Sequence, residues 1–207
     1  ICSSNKYQPN NNAIIGFTNL LLDEKLNEDQ IEYLNLIQTS GNNLMSILND
    51  VLEISKIEEG KLQLNPKAEI FQNKIQELLA PYKAIIEGKG LEFSIEFEDK
   101  FPKIINIDYH RFGQILVNLI SNAAKFTSKG GIHILFEYDF QAKGQFLIKV
   151  KVSDSGKGID PENLKKIFES FQQEDGGIAR EFGGTGLGLS ISREIAIAMG
   201  GELKAES

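Results

Sequence analysis

The sequence predicts an α+β protein in two parts, a helical hairpin followed by a mixed domain of helices and strands. Three observations carry this. Between residues 29 and 56, apolar side chains recur at alternating steps of three and four, the spacing of one stripe along a helix. After Gly60 and Pro66 the pattern changes, and LEFSIEF at residues 91–97 alternates with a period of two, as a half-buried strand does. Further on, two glycine-bearing strings, DSGKGI and GGTGLGLS, fall at a strand end and at a helix start, places where the backbone has to turn tightly.

The apolar run AIIGFTNLLL at residues 13–22 reads as the end of a first helix. A turn near Asp23 to Asn27 leads to the second, with Asn27 or Asp29 as its cap. The second helix carries Ile31, Leu34, Ile37, Gly41, Leu44, Leu48, Val51 and Leu52 in a heptad-like seam. Two helices bury too little between them, so the hairpin is expected to dimerise into a four-helix bundle. Gly60 and Pro66 place the domain boundary near residue 60, giving a hairpin over 1–60 and a second domain over 61–207. Residues 69–87 read as helix interrupted or kinked at Pro81. Residues 108–126 read as helix, then Lys129-Gly130-Gly131 turns into a strand over 132–138. Its hairpin partner is expected over 145–153, with Gly144 near the turn. Asp160-Pro161 is a good helix opening, and that helix is expected to run to about Phe168. A last helix is expected from about Thr185 to Met199, stopped by Gly200-Gly201.

Bulk properties narrow the function class. The chain has 207 residues, 41% hydrophobic and 25% charged, ordinary values for a globular protein. Its net charge of −7 argues against a nucleic-acid binder, which shows a basic face. No stretch approaches the ~18 consecutive apolar residues of a membrane span, and the start lacks a signal-peptide pattern. Cys2 is the single cysteine, so no intrachain disulfide forms and a reducing compartment fits. The stretch reads as cytoplasmic, leaving any membrane anchor to a longer protein. His110 and His133, the two histidines, leave little scope for a zinc site and read as structural or solvated.

The chemistry lies in three strings. In NLISNAAKF (residues 118–126), Asn118, Asn122 and Lys125 stand at i, i+4 and i+7 on one helix face. An asparagine oxygen is a hard, neutral ligand suited to Mg²⁺ that also holds phosphate oxygens, and the lysine neutralises phosphate charge. In DSGKGI, Asp154 at a strand end can accept a hydrogen bond from an exocyclic amine such as that of adenine. Gly156 and Gly158 let the backbone approach a flat base. In GGTGLGLS (residues 183–190), backbone N–H groups at a helix start suit a polyphosphate. No G-x-G-x-x-G or Walker A loop occurs. The polar stretch from Gln172 to Phe182 reads as a lid, with Arg180 available to a terminal phosphate.

Taken in order, NLISNAAKF, DSGKGI, IFESF and REFGGTGLGLSIS resemble the sensor histidine kinases of two-component signalling, the hybrid type above all. The likeness extends to AIIGFTNLLL and DVLEISKIEEGKL, so it covers nearly the whole chain. It implies a dimerising hairpin followed by an ATP-binding α/β sandwich of the gyrase, Hsp90 and histidine kinase type. It implies ATP and Mg²⁺ as cofactors, Asn122 on the metal, and Asn118 and Lys125 on the phosphates. Asp154 would read adenine, Gly156 and Gly158 would shape the base pocket, and Phe168 and Phe171 would flank the lid. Gly184, Gly186 and Gly188, with Thr185 and Leu187 among them, would form the phosphate-binding turn. The implied partners are a second copy, joined through residues 13–56, and a response-regulator receiver domain on the same or a separate chain. Neither nucleic acid nor membrane is expected as a contact.

The pattern breaks at the acceptor. The family carries its phosphate-accepting histidine in a string resembling S-H-E-x-R-T-P-L-N before A-I-I-G-F, where this chain has SSNKYQPNNN. Alignment on Ala13 places Asn5 at the histidine position, and alignment on Pro9 places Ser4 there. The family also continues past GGELKAES with another strand, so a C-terminally truncated domain is expected. Two readings stay open: a kinase core whose acceptor histidine lies elsewhere, and a non-catalytic module that binds ATP and signals by conformation or dimerisation. Hydrolysis is disfavoured because related ATPases place a glutamate where Asn118 stands, and an amide cannot serve as that general base.

Overall fold

The computed structural model describes residues 8–141, 146–164, 166–169 and 186–207, and it separates into two compact units, Ile1–Leu62 and Gln63–Ser207. In the first unit α1 (Gln8–Leu22) and α2 (Glu28–Glu58) form the expected hairpin. Asn27, rather than Asp29, caps α2. Its side chain accepts from Gln30 N at 2.9 Å while Gln30 Oε1 accepts from Asn27 N at 3.0 Å, so two orphan donors of the first turn are satisfied reciprocally. Thr18 is buried and bonds the carbonyl of Ile14, and Gln38 reaches Asn19 across the hairpin at 2.5 Å. Ile31, Ile37, Leu44 and Val51 of the seam are exposed while Leu34, Leu48 and Leu52 are half-buried and Gly41 is buried; Phe17 and Leu20 of α1 and Leu36 of α2 are exposed as well.

The second unit opens with β1 (Lys67–Ile70) and α3 (Phe71–Gly88), continues through β2 (Glu92–Phe97), β3 (Ile104–Ile107) and α4 (Tyr109–Phe126), and then adds β4 (Gly131–Phe140), β5 (Phe146–Asp154) and α5 (Gly188–Ala198). β1 pairs antiparallel with β3 in a small sheet of its own. The larger sheet runs β2-β4-β5. β4 and β5 are the expected antiparallel hairpin, but β2 lies parallel to β4. A parallel pair needs a crossover connection, and α4 lies within this one. That topology lays the asparagine-bearing helix across the sheet.

One core holds the unit together. Phe71, Ile75, Leu79 and Ile86 of α3 meet Leu116, Ile120 and Ala123 of α4 and Ile132, Ile134 and Phe136 of β4. Phe97 stacks on Phe136, its register partner, at 4.8 Å between ring centres and 12° between planes. Phe71 meets the same ring edge-on at 5.5 Å. Such aromatic pairs contribute about 0.5–1.5 kcal/mol each beyond their burial.

Three expectations need correction. Residues 67–70 are strand, and Pro81 does not interrupt α3. The apolar stripe continues in phase from Leu79 to Tyr82 and Ile86, and Pro81 itself faces solvent, so packing carries the helix past it. The described residues after Asp160-Pro161 form successive turns rather than a continuous helix: Asn163 N and Leu164 N both bond Asp160 O, Lys166 N and Ile167 N both bond Asn163 O, and Glu169 N bonds Lys166 O. The Asp160 side chain accepts from Glu162 N at 3.0 Å, the bond an N-cap makes to the second helical position, so the expected opening itself is present. Finally, α5 begins at Gly188 rather than Thr185, which lies outside the described residues.

Candidate nucleotide-binding site

The site is built on α4. Asp108 caps this helix, accepting from Arg111 N at 3.0 Å, and the same carboxylate accepts from Asn65 N at 2.8 Å. Burial pushes the Asp108 carboxyl upward, but backbone donors at Asn65, Arg111 and His110 outweigh it and hold the group below its ordinary 3.8. Gly113, Leu116, Ile120 and Ala123 turn into the core. Asn118, Asn122 and Lys125 stand on the opposite side and are half-buried. At 1.5 Å per residue the row spans about 10 Å, long enough to follow an extended ligand.

At one end of the row Asn118 meets α5. Its Nδ2 donates to Ser192 Oγ at 2.9 Å, and Ser192 is only 1% exposed. A Cβ on Gly188 would lie 2.4 Å from Asn118 Oδ1, so no side chain fits there without displacing the amide. Leu187, just before it, is fully buried, and Gly186 is half-buried with φ +70°. The last of the glycine string is thereby pressed onto the first asparagine of the α4 row.

At the other end the DSGKGI loop closes on the end of α4. Asp154 Oδ1 accepts from Gly156 N at 2.8 Å and lies 3.4 Å from Thr127 Oγ1, the residue ending α4. A Cβ on Gly156 would stand 2.6 Å from the Phe126 carbonyl oxygen; glycine is what lets these two backbones touch. Ser155 locks the corner by donating to Lys129 O at 2.8 Å and accepting from Gly131 N at 2.9 Å. The Phe126 ring is 40% exposed, with Lys125 Nζ 5.0 Å and Lys157 Nζ 5.4 Å from its centre. Phe168 is half-buried, with the Arg193 guanidinium carbon 5.8 Å from its ring centre.

The structure therefore joins Asn118 to Gly188, and Lys125, Asp154 and Gly156 around Phe126, with Asn122 on the same α4 face between the two ends. Gly158 sits one turn beyond Asp154 with φ +72°. Arg180, Phe171, Gly184, Thr185, Ser4 and Asn5 lie outside the described residues. Sequence reasoning missed Phe126, Thr127, Ser155 and Ser192. Phe126 could have been found, because it is a large apolar side chain on the polar side of an amphipathic helix. Ser192 stands four residues after Gly188 and so shares its face of α5.

Among the described residues, no group of three histidine, cysteine or acidic side chains could hold a metal ion by itself. The α4 row offers the amide oxygens of Asn118 and Asn122 instead. They suit Mg²⁺ that arrives with phosphate oxygens and keeps its waters.

Comparison with known proteins decides the family. Residues 107–207 match the model for histidine kinase-, DNA gyrase B- and HSP90-like ATPases, and residues 12–60 match the phospho-acceptor domain of histidine kinases. The chain belongs to the histidine kinases. Hybrid signal transduction histidine kinase L of Dictyostelium discoideum is 40% identical over 94% of this chain, which spans 11% of that relative's length. A crystal structure of full-length ShkA in complex with AMPPNP is 29% identical, with a TM-score of 0.79 over 97% of this chain and 42% of that one. The histidine kinase ThkA, crystallised in complex with the response regulator protein TrrA, is 26% identical, with a TM-score of 0.63 over 96% of this chain and 54% of that one. The second unit of this histidine kinase is thus an ATP-binding domain of the HATPase type, preceded by a helical hairpin of the phospho-acceptor type. No helix among the described residues is long and apolar enough to cross a membrane.

Proposed function

We propose that this chain is the kinase core of a sensor histidine kinase that moves the terminal phosphate of Mg-ATP to a histidine on another chain. The observation that carries the reading is the α4 row, with the glycine string packed on Asn118 at one end and the Asp154 corner at the other. Asp154 accepts from the adenine amine, and Gly156 and Gly158 shape the base pocket beside Phe126. Asn122 supplies an oxygen to Mg²⁺, which offsets phosphate charge when bound. Asn118 and Lys125 hold the phosphates with the backbone N–H groups of Gly184, Thr185, Gly186, Leu187 and Gly188. Arg180 meets the terminal phosphate, and Phe168 and Phe171 flank the lid.

The protein's contribution is positioning and charge neutralisation. The bond from the terminal phosphorus to the bridging oxygen breaks as a bond to an imidazole nitrogen forms, and ADP leaves with the electron pair. Asn118 cannot deprotonate water, which favours transfer over hydrolysis.

We place the acceptor outside residues 1–62, which contain no histidine. We assign residues 1–60 to dimerisation and 61–207 to ATP binding. The exposed seam of Phe17, Leu20, Leu36 and Leu44 supports a dimer through residues 13–56. The complex formed by ThkA supports a receiver domain as the downstream partner.

The test is transfer of terminal-phosphate label from Mg-ATP, with nucleotide binding measured in the same sample and a histidine-bearing hairpin of a relative added. We expect ATP binding, no label on this chain and acid-labile, base-stable label on the added hairpin. Asn118→Ala or Asn122→Ala should lower transfer by at least about 100-fold, as removal of transition-state contacts does. Binding without transfer would instead support a non-catalytic module, and absence of binding would defeat both readings.

A further inference from the structure

The Asn118 amide lies against one turn of α5. Its nitrogen donates to Ser192 Oγ at 2.9 Å, and its oxygen faces Gly188, where a Cβ would approach to 2.4 Å. Gly188 and Ser192 are four residues apart, so they present side by side on α5. Ser192 is 1% exposed, and a buried hydroxyl there is worth its desolvation only if it is hydrogen-bonded. A hydroxyl both donates and accepts, so this contact places the Asn118 amide against α5 without choosing between its two ends.

We propose that Ser192 is the positioning residue of the site: its hydroxyl accepts from the Asn118 amide nitrogen and so holds that side chain against α5 beside Gly188. This rests on the kinase reading for its catalytic consequence, but the placement itself does not depend on it. Ser192 touches no ligand. It acts through Asn118, and it ties the amide to the same helix whose start would receive the phosphates. Packing of the glycine turn and placement of the asparagine thereby become one event.

The experiment uses the full chain with Ser192→Ala, Ser192→Thr and Asn118→Ala, and the double variant Asn118→Ala with Ser192→Ala. Exchange of the Asn118 side-chain amide protons, followed by NMR, reads the contact directly. We expect it to accelerate about tenfold in Ser192→Ala, the worth of one buried hydrogen bond, and to be restored in Ser192→Thr. Transfer to an added histidine-bearing hairpin should fall about tenfold in Ser192→Ala with ATP affinity within about threefold. The double variant should be no worse than Asn118→Ala alone, since coupled residues do not add. Unchanged amide exchange in Ser192→Ala would overturn the proposal, as would additive losses in the double variant. If the wild type transferred no phosphate, the kinase reading would fail, while accelerated amide exchange would still uphold the placement.

Discussion

Asp108 shows how much one carboxylate does here. It caps α4 through Arg111 N and fastens the backbone of Asn65, 43 residues earlier. Replacing it by alanine should cost about 1–3 kcal/mol, the loss of a cap together with a second charged hydrogen bond, read as a lower midpoint in urea. The pH dependence follows from the depressed carboxyl. Its stabilisation is complete above the ordinary value of 3.8 and is lost as pH falls through the lower folded-state value. The difference in melting temperature between wild type and Asp108→Asn should therefore shrink as pH drops from about 6 to about 3. A gap that stayed constant over that range would remove Asp108 as the cause.

Helix α2 owes its start to a reciprocal pair. Asn27→Ala removes the side-chain acceptor for Gln30 N and should destabilise the hairpin by about 1 kcal/mol, while Asn27→Asp should retain most of it. Helical circular dichroism during denaturation checks both. This element was legible in the sequence because capping and periodicity are local. So were α4, β4 and β5, whose signals lie within a dozen or so residues. The short β1 and β3 were not. They pair across 40 residues (Lys67 with Ile107), and four-residue strands carry too few alternations to announce themselves. The parallel partnership of β2 and β4 was hidden for the same reason. At the site, Asn118, Asn122, Lys125, Asp154, Gly156 and Gly188 were legible as motifs. Thr127 and Ser155 were not, because hydroxyls that brace a loop leave no spacing rule behind, and Ser192 is marked only by its place four residues after Gly188.

At the scale of the molecule, the exposed seam and the buried core call for different partners. The second unit closes its own core around Phe71 and Phe136. The hairpin leaves Phe17 and Leu36 each about two-thirds exposed (66% and 65%), more contiguous apolar surface than a lone helix pair keeps in water. Phe17→Glu with Leu36→Glu should convert a dimer to a monomer in sedimentation velocity without lowering ATP affinity of the second unit. A wild type that sediments as a monomer would remove the four-helix bundle from the account. The contact between Asn118 and Ser192 carries a last consequence. The two residues lie 74 positions apart, and the buried cluster around Phe71 and Phe136 is complete in the chain before α5 and its cap, which add their own buried Leu187 and Ile195. At about 5–20 residues per second of synthesis, a nascent chain can close that cluster several seconds before α5 leaves the ribosome. During that interval it would be a folded body without a nucleotide pocket. ATP, however abundant in the cell, can then stabilise only finished copies.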